Sequence, residues 1–169
     1  MMLIRHYKAF TLVEVLITIT LSFLLTGFGL VMYRDYYNRK VVRVVADGWA
    51  RELEVLIKET DSGSVLNSEI GAGCDGSLLG TVVDVTAGSS DYRVFVDCAI
   101  NDSSGMVYSL ETNDPGKVVV FGTSVRLVIL PLSKGVKDVT VFDICLKQDT
   151  GVNCYYKVQV DKSGVVSVK

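Results

Sequence analysis

The chain has 169 residues, 17 of them basic and 19 acidic, which gives a formal net charge of −2 at neutral pH. This acidic balance argues against a general polyanion binder, although a local basic patch could still act as one. The one histidine is His6, so residues 7–169 lack the base that Ser-His and Cys-His nucleophile pairs require, and we expect the protein not to be an enzyme. The length allows one membrane helix and one domain of about 100 residues.

The first predicted element is an apolar run that contains one carboxylate. Residues 10–32 include Glu14 and no other charged residue. The run is long enough to span a bilayer, whose hydrocarbon core needs about 20 apolar residues. A charge at the centre of a membrane helix costs roughly 2.5–3.5 kcal/mol, and somewhat less near its end, so Glu14 is a functional candidate by default. No small-residue cleavage site follows the run, which predicts a retained helix rather than a secretory signal.

The junction before this helix resembles a known processing site. The residues Lys8-Ala9-Phe10-Thr11-Leu12-Val13-Glu14 are similar to the cleavage site of type IV prepilins and type II secretion pseudopilins. In that family a dedicated peptidase removes the leader, here residues 1–9, by cutting before the Phe. It then methylates the new amine and leaves the Glu as the fifth residue. The resemblance implies cleavage between Ala9 and Phe10, N-methylation of Phe10 and an assembly role for Glu14. Ala9 departs from the family pattern, in which Gly is usual.

The resemblance also implies what such a protein does. It implies a structural subunit, of the minor class, in a type IV pilus-like or type II secretion pseudopilus filament. The expected partners are prepilin peptidase, other pilin or pseudopilin subunits, the inner-membrane assembly platform and, before assembly, membrane lipid. The expected location is the bacterial inner membrane, crossed once with the C-terminal domain outside the cytoplasm, and then the filament. We expect no cofactor and no metal. A weaker alternative is an anchored domain that never polymerises.

The charges that flank the predicted span conflict with this orientation. Positive-inside counting places the more basic flank in the cytoplasm, and here that flank follows the span. Two basic residues precede the span and four follow it, namely Arg5 and Lys8, then Arg34, Arg39, Lys40 and Arg43. The resemblance and the cysteines favour the leader inside and the domain outside. The three tyrosines within residues 33–37 are typical of an interfacial anchor.

Helical periodicity continues beyond the span. Apolar residues spaced by three and four form one stripe on a helix face. They are Val42, Val45, Trp49, Leu53 and Leu56. The sequence therefore predicts one helix over residues 10–59, with a polymerisation half over 10–32 and an amphipathic half over 33–59. The span has no proline, so Gly27 and Gly29 are the candidates for local unwinding.

The rest of the chain predicts an antiparallel β domain. Residues 60–80 are rich in Ser, Gly and Asp and predict a loop, and short β-branched and aromatic segments separated by turns follow. The predicted strands are Thr81–Val85, Tyr92–Ile100, Met106–Leu110, Lys117–Phe121, Val125–Leu130, Val139–Leu146, Cys154–Val160 and Val165–Val168. The fold class is therefore α+β, with a long N-terminal helix packed on an antiparallel domain over 60–169. The last strands resemble the C-terminal hairpin of the GspH/FimT group of minor pseudopilins and minor pilins.

Four cysteines follow the predicted span, which fits two disulfides in an oxidising compartment. Four cysteines allow three pairings. Cys145 and Cys154 flank a predicted hairpin turn, which favours their pairing and leaves Cys74 with Cys98. The spacing contains no C-x-x-C, so a structural zinc site is not expected.

Three weaker signals have simpler interpretations. Residues 71–76 spell G-x-G-x-x-G, but they lie between a predicted helix and strands rather than in a βαβ unit, so we interpret them as a loop. The acidic turns at Asp102 and Asp114 could supply oxygens to Ca²⁺, yet they lack the acidic density of a calcium loop, and we interpret them as turn formers. Asp97 and Asp143 lie in predicted strands whose alternation lets each face solvent.

One alternative function comes from the C-terminal segment. Basic and aromatic residues near the end of the chain could together bind nucleic acid, since bases stack on aromatic rings beside cations. They are Lys157, Lys162 and Lys169 with Tyr155 and Tyr156. The alternative is therefore a minor pilin that acts as a DNA-binding module in DNA uptake. Solvated strand faces explain the same lysines.

Overall fold

The computed structural model describes residues 11–67, 69–71, 74, 76–102, 105–112, 114–132, 134–148 and 151–169. The chain divides into two compact units, Met1–Tyr37 and Asn38–Lys169. The predicted leader and cleavage pair, Ala9 and Phe10, lie outside the described residues.

One α-helix, α1, covers Leu12–Ser62. Thr11 caps its start, because the Thr11 Oγ1 accepts a hydrogen bond from the Glu14 backbone N–H at 3.3 Å. The helix is three residues longer than predicted at its end, where Gly63 follows with a left-handed φ of 72°. It continues through Gly27 and Gly29, so the local unwinding expected there is absent from the described helix. A helical glycine costs about 1 kcal/mol, which the continuous backbone ladder tolerates.

The described residues of the second unit form eight strands and two short 3₁₀ helices. The 3₁₀ helices are Ser64–Asn67 and Glu69–Gly71, within the segment predicted as a loop. The strands are β1 Leu78–Val85, β2 Asp91–Cys98, β3 Met106–Ser109, β4 Val118–Phe121, β5 Val125–Ile129, β6 Thr140–Gln148, β7 Gly151–Val160 and β8 Val166–Val168. Each overlaps its prediction, and the α+β, pilin-like architecture is confirmed.

The strands form two four-stranded antiparallel sheets rather than one. The first has the order β3-β2-β1-β5 and the second the order β4-β6-β7-β8. β4 and β5 are consecutive, yet they belong to different sheets, because the chain turns through 122–124 between them. Backbone hydrogen bonds also join the end of β4 to the turn after β1, from Gly88 N to Phe121 O at 2.7 Å and from Phe121 N to Ser89 O at 2.9 Å. The two sheets are thereby linked at β4.

The second half of α1 packs against both sheets through one aromatic cluster. Trp49 of α1 is 1% exposed. Its ring centroid lies 4.3 Å from that of Tyr92 in β2, 5.5 Å from that of Phe121 in β4 and 5.8 Å from that of Phe142 in β6. Such aromatic contacts contribute about 0.5–1.5 kcal/mol each beyond the burial of their area. Trp49 is thus the point at which α1 and the two sheets share a core.

Candidate assembly site

The first half of α1 carries an apolar surface that the chain leaves exposed. Every residue from 11 to 37 is exposed. Among its large apolar side chains, Leu12 is 80% exposed and Phe23 is 78% exposed. α1 is long and apolar enough to cross a membrane, judged by its length and composition. An apolar surface of this extent requires lipid or another apolar surface around it.

The hydroxyl side chains between residues 18 and 26 do not interrupt the apolar surface of this half. Four hydroxyls donate to carbonyl oxygens of their own helix, three or four residues earlier, at 2.7–2.9 Å. They belong to Thr18, Thr20, Ser22 and Thr26. Because each donor is satisfied locally, these side chains add little to the cost of an apolar environment.

Glu14 is the exception, since it places a carboxylate in the first turn of α1. A carboxylate there interacts favourably with the positive end of the helix dipole, but this contributes only about 0.3–1 kcal/mol at an exposed site. That is less than the cost of the charge inside a bilayer. The arrangement therefore favours a cationic partner for Glu14 near the start of the helix.

Aromatic rings follow the apolar segment of α1. Tyr33 and Tyr36 are each 65% exposed. The rings of Tyr33 and Tyr37 stack with centroids 6.3 Å apart. Exposed tyrosines beside Arg34 suit the headgroup layer of a membrane, where one end of the ring is apolar and the other is hydrated.

The structure contains two disulfides, Cys74–Cys98 and Cys145–Cys154. The predicted hairpin turn favoured the second pair, and the first is the pair that this choice left. Cys145 and Cys154 lie directly opposite each other on β6 and β7, beside a shift in strand register. Gly122 lies against this disulfide, because a Cβ there would be 2.5 Å from the Cys145 Sγ. The disulfide therefore occupies the space that a larger residue at position 122 would need.

The candidate acids are not brought together. Asp97 is in β2 of the first sheet and Asp143 is in β6 of the second, and both are half-buried rather than fully exposed. Burial raises the pKa of Asp97, and the neighbouring Asp102 carboxylate raises it further. No group of three or more His, Cys, Asp or Glu able to hold a metal occurs among the residues that the structure describes.

Four of the five basic and aromatic residues near the C terminus have partners within the second unit, including Lys169, whose Nζ donates to the Gln159 Oε1 at 2.7 Å. Lys157 forms an ion pair with Asp143 across β6 and β7, with Nζ and Oδ1 3.6 Å apart. Tyr155 and Tyr156 pack against the hydrophobic core instead. The Arg39 guanidinium lies 5.5 Å from the Tyr155 ring centroid. Both rings are partly buried and contribute to the core.

A polar contact between α1 and the first sheet is not predictable from the sequence. The Tyr92 hydroxyl donates to the Glu52 Oε2 at 2.6 Å. In the sequence, Glu52 lies outside the apolar stripe of the helix, and Tyr92 begins a predicted strand. Nothing local in the sequence indicates their contact, because they are 40 residues apart.

Comparison with known proteins identifies the N-terminal segment. Residues 4–30 match the family described as the prokaryotic N-terminal methylation motif. No curated protein and no solved structure gives a significant match to the chain. The motif implies a pilin-like protein that is processed by prepilin peptidase, and with the apolar helix it fits anchorage in the inner membrane. The chain thus carries the N-terminal signature of the type IV pilin-like superfamily.

Proposed function

We propose that this protein is a structural subunit, of the minor class, of a type IV pilus-like or type II secretion pseudopilus filament. The observation that carries the proposal is the exposed apolar surface of α1, which follows a methylation motif and contains one carboxylate. Lipid covers this surface before assembly, and the helices of neighbouring subunits cover it in the filament. The chemistry of the protein is therefore packing rather than catalysis.

Processing prepares the helix for this exchange. Prepilin peptidase cuts between Ala9 and Phe10 and methylates the amine of Phe10. Glu14 then pairs with that amine on the neighbouring subunit. An uncompensated charge in an apolar interior costs about 3–5 kcal/mol. Because the charge of Glu14 is compensated only where it lies beside the neighbour's amine, the pairing also fixes the axial register of the two helices.

The proposed organisation has four parts. They are a leader over 1–9, a polymerisation half of the helix over 10–32, an amphipathic half over 33–59 and a β domain over 60–169. The domain lies outside the cytoplasm before assembly. The two disulfides support this side of the membrane, because disulfides persist in oxidising compartments.

We place the subunit in the GspH/FimT group on its final hairpin, β7 and β8. The DNA-binding alternative would need the lysines near the C terminus and their neighbouring tyrosines on one surface. The core packing of Tyr155 and Tyr156 and the ion pair of Lys157 do not favour it, so we do not propose it.

The deciding experiment compares Glu14→Val with the wild type in the native host. We expect unchanged membrane level and leader cleavage, because the substitution makes the span more apolar. We expect at least several-fold less of the variant in sheared filaments, since the neighbour's amine would lose its partner at a cost of about 3–5 kcal/mol. Intact mass in the same samples should match a chain that starts at N-methyl-Phe10.

Two control variants separate charge from apolar character. Glu14→Asp keeps the carboxylate and should retain more filament content than Glu14→Val. Thr20→Val removes a hydroxyl that already bonds within the helix and should change little. Equal filament content in wild type and Glu14→Val would exclude the assembly role. Absence of the wild type from every filament fraction would favour the anchored domain that never polymerises.

A further inference from the structure

The two edges of the first sheet differ in how the chain covers them. At the β5 edge the following loop folds back along the strand, where a bridge pairs Ile129 with Val136 and the Lys137 backbone N–H donates to the Val128 carbonyl at 3.0 Å. At the other edge β3 pairs with β2, and no described segment pairs with its outer side. An uncovered edge of this kind is a template for pairing with another chain.

Two residues of β3 direct their backbone groups toward this open edge. The Leu110 N–H, directly after β3, donates to the Ser90 carbonyl at 2.9 Å. Bonded and non-bonded positions alternate along an antiparallel pair, so the N–H and C=O groups of Val107 and Ser109 point away from β2. These are the groups with which a further strand would pair.

A cleft of about 370 Å³ lies between α1 and the β3 side of the first sheet. Its walls are largely apolar and come from α1, the second 3₁₀ helix, β2 and β3. The apolar and aromatic residues that line it are Val55, Leu56, Ile70, Tyr92, Val94 and Tyr108. Val55 is 52% exposed, whereas Leu56, Tyr92 and Val94 are buried. The cleft thus has a buried floor and an exposed apolar wall on α1.

A strand added at β3 would place side chains in this cleft. Residues directly opposite each other in paired strands point to the same face of the sheet. Tyr108 lines the cleft, so the residue opposite Tyr108, and every second residue from it, would face the cleft side. The open edge and the cleft therefore fit one occupant, an extended segment with aliphatic residues at alternate positions.

The charges near Tyr108 indicate the remaining chemistry of this occupant. Burial raises the pKa of the Tyr108 hydroxyl, and the carboxylates of Glu69, Glu59 and Glu52 raise it further. Arg51 is the one cation among the described residues that line the cleft. A Lys or Arg on the same face of the segment as its aliphatic residues would therefore complement these carboxylates.

The same charges disfavour a second copy of β3 as the occupant. Two β3 strands paired edge to edge would bring two such groups of carboxylates together, and like charges across paired strands are destabilising. The strand itself, Met106–Ser109, contains no basic residue. The edge therefore favours a partner whose sequence differs from that of β3.

We propose that the open edge of β3 binds an extended segment of a different filament subunit. The segment joins the first sheet as a further strand, places aliphatic side chains in the cleft and directs a Lys or Arg to the neighbouring carboxylates. Its source in the filament rests on the proposed function, since a minor subunit lies among unlike chains. The open edge, the cleft and the charges are features of this chain alone.

Peptide binding to the full chain in detergent tests the chemistry of the edge. The probe is a short fluorescent peptide in which threonines alternate with one lysine and two valines, and fluorescence anisotropy measures its affinity. It should bind at least several-fold more tightly than a peptide with glutamate in place of the lysine. It should also bind several-fold more tightly than a peptide whose backbone amides are N-methylated. Absent binding, or an affinity equal to that of either altered peptide, overturns the proposal.

Proline substitutions in the protein locate the bound peptide. Val107→Pro removes an N–H that points away from β2, so the β2–β3 pairing keeps its own bonds. Val166→Pro is the matched control at the β8 edge, because Lys169 and Lys157 exchange backbone hydrogen bonds of 2.9 Å and the same alternation turns the Val166 N–H outward. Val107→Pro should lower the affinity several-fold, and Val166→Pro should leave it unchanged. Equal affinities in the two variants overturn the proposal.

A charge substitution tests the cleft without touching the backbone. Glu69 is exposed, so Glu69→Lys should leave the fold intact even if a proline variant does not fold. It should lower the affinity for the lysine peptide several-fold and raise that for the glutamate peptide. Affinities that do not respond overturn the pairing of the segment with these carboxylates.

Photo-cross-linking in the native host tests the source of the segment. A photoreactive residue in place of Val55 should give an adduct that peptide mapping assigns to a different filament subunit, at a segment with alternating aliphatic residues and a Lys or Arg. The same residue in place of Val118, which is 49% exposed in the second sheet, should give at least several-fold less of this adduct. An adduct with a second copy, with lipid or with a protein outside the filament overturns the proposal, as does the absence of an adduct.

The filament content of the same samples keeps the two proposals distinct. Filaments that contain the chain without this adduct overturn the contact and leave the filament function standing. The adduct in membranes, with the chain absent from every filament fraction, supports the contact and overturns the filament function.

Discussion

The two halves of α1 have similar backbones and opposite environments. From residue 11 to 37 every side chain is exposed, whereas Val42, Ala46 and Leu53 in the second half are completely buried. The second half covers its apolar stripe with the two sheets of its own chain. The first half has apolar residues on every face of the helix rather than on one face, which is typical of a membrane span or a core helix. Its surroundings must therefore come from outside the chain.

Charges follow the same division. The second half carries its charged residues on the faces away from the core, where Arg43 and Asp47 lie one turn apart with N–O 3.8 Å. Such exposed pairs contribute only about 0.3–0.5 kcal/mol and are compatible with water. The first half has Glu14 as its one charged residue before Arg34. One half is thus adapted to water and the other to an apolar medium.

The sharpest test of this division removes one large aromatic residue from each half. Trp49→Ala should lower the free energy of unfolding of the second unit by about 3–5 kcal/mol, since it empties the core shared by α1 and both sheets. Phe23→Ala should leave this free energy unchanged, because Phe23 is 78% exposed and contributes nothing to that core. Denaturant unfolding of the full chain in detergent measures both free energies of unfolding. Far-UV circular dichroism is the signal to use, because it does not depend on the tryptophan that one variant lacks.

Trp49→Phe separates the ring from its polar atom. The indole Nε1 is buried and has no hydrogen-bond partner among the described residues, so its loss removes an unsatisfied donor. This variant should cost less than Trp49→Ala. A Phe23→Ala loss as large as that of Trp49→Ala would contradict the division of the helix.

The second prediction concerns a contact within the second unit alone. A Cβ at position 122 would lie 2.5 Å from the Cys145 Sγ and 2.8 Å from the Cys154 Sγ. Gly122→Ala should therefore destabilise this unit by about 1–3 kcal/mol, the range for overpacking. Membrane insertion of the first half of α1 should not change.

A double-mutant cycle assigns the cause. The cost of Gly122→Ala should shrink when Cys145 and Cys154 are both replaced by Ala, because the two sulfurs are the nearest obstacles. Gly116→Ala is the matched control, since the nearest atom to its Cβ would be 3.4 Å away. An unchanged cost in the background that lacks the Cys145–Cys154 disulfide would assign the effect to Asp143, whose Cβ lies 2.9 Å from the same position.

Local patterns explain how much of the fold was predictable. The length of the apolar run predicted the first half of α1, and the 3.6-residue spacing of apolar residues predicted its second half. The β-branched runs between turns predicted all eight described strands. The division into two sheets was not predictable, because the partners of β4 and β5 lie far away in sequence. A strand pattern records which residues face a core and does not record which strand lies beside it.

The same limit applies to the sites. Glu14 could be selected as a candidate because its signal is contained in seven consecutive residues, and its assembly role stays a prediction. The contact between Tyr92 and Glu52 was not predictable, since the two residues are 40 positions apart. The left-handed φ of 62° at Leu132 was equally hidden, because residue identities alone do not reveal a backbone angle.

The smallest expected effect is a dependence of stability on pH in the second unit. Burial and the neighbouring Asp102 raise the folded-state pKa of Asp97 above its usual value of 3.8. A raised pKa means that the folded state holds the proton more tightly than the unfolded state. The resulting stability is fully present below pH 3.8 and is lost as the pH rises through the folded pKa.

Asp97→Asn should therefore increase the stability at pH 7, by less than about 1 kcal/mol because the side chain is partly solvated. It should also flatten the pH dependence of unfolding above pH 3.8. Asp84→Asn is the matched control on the same sheet, and it should have the opposite sign at pH 7. Its carboxylate accepts two hydrogen bonds of 2.7 Å from the Arg126 guanidinium, and these would weaken. Neither substitution should alter membrane insertion, because both aspartates belong to the unit that forms its own core. An Asp97→Asn chain that is less stable than wild type at pH 7 would show that the charge of Asp97 stabilises the sheet.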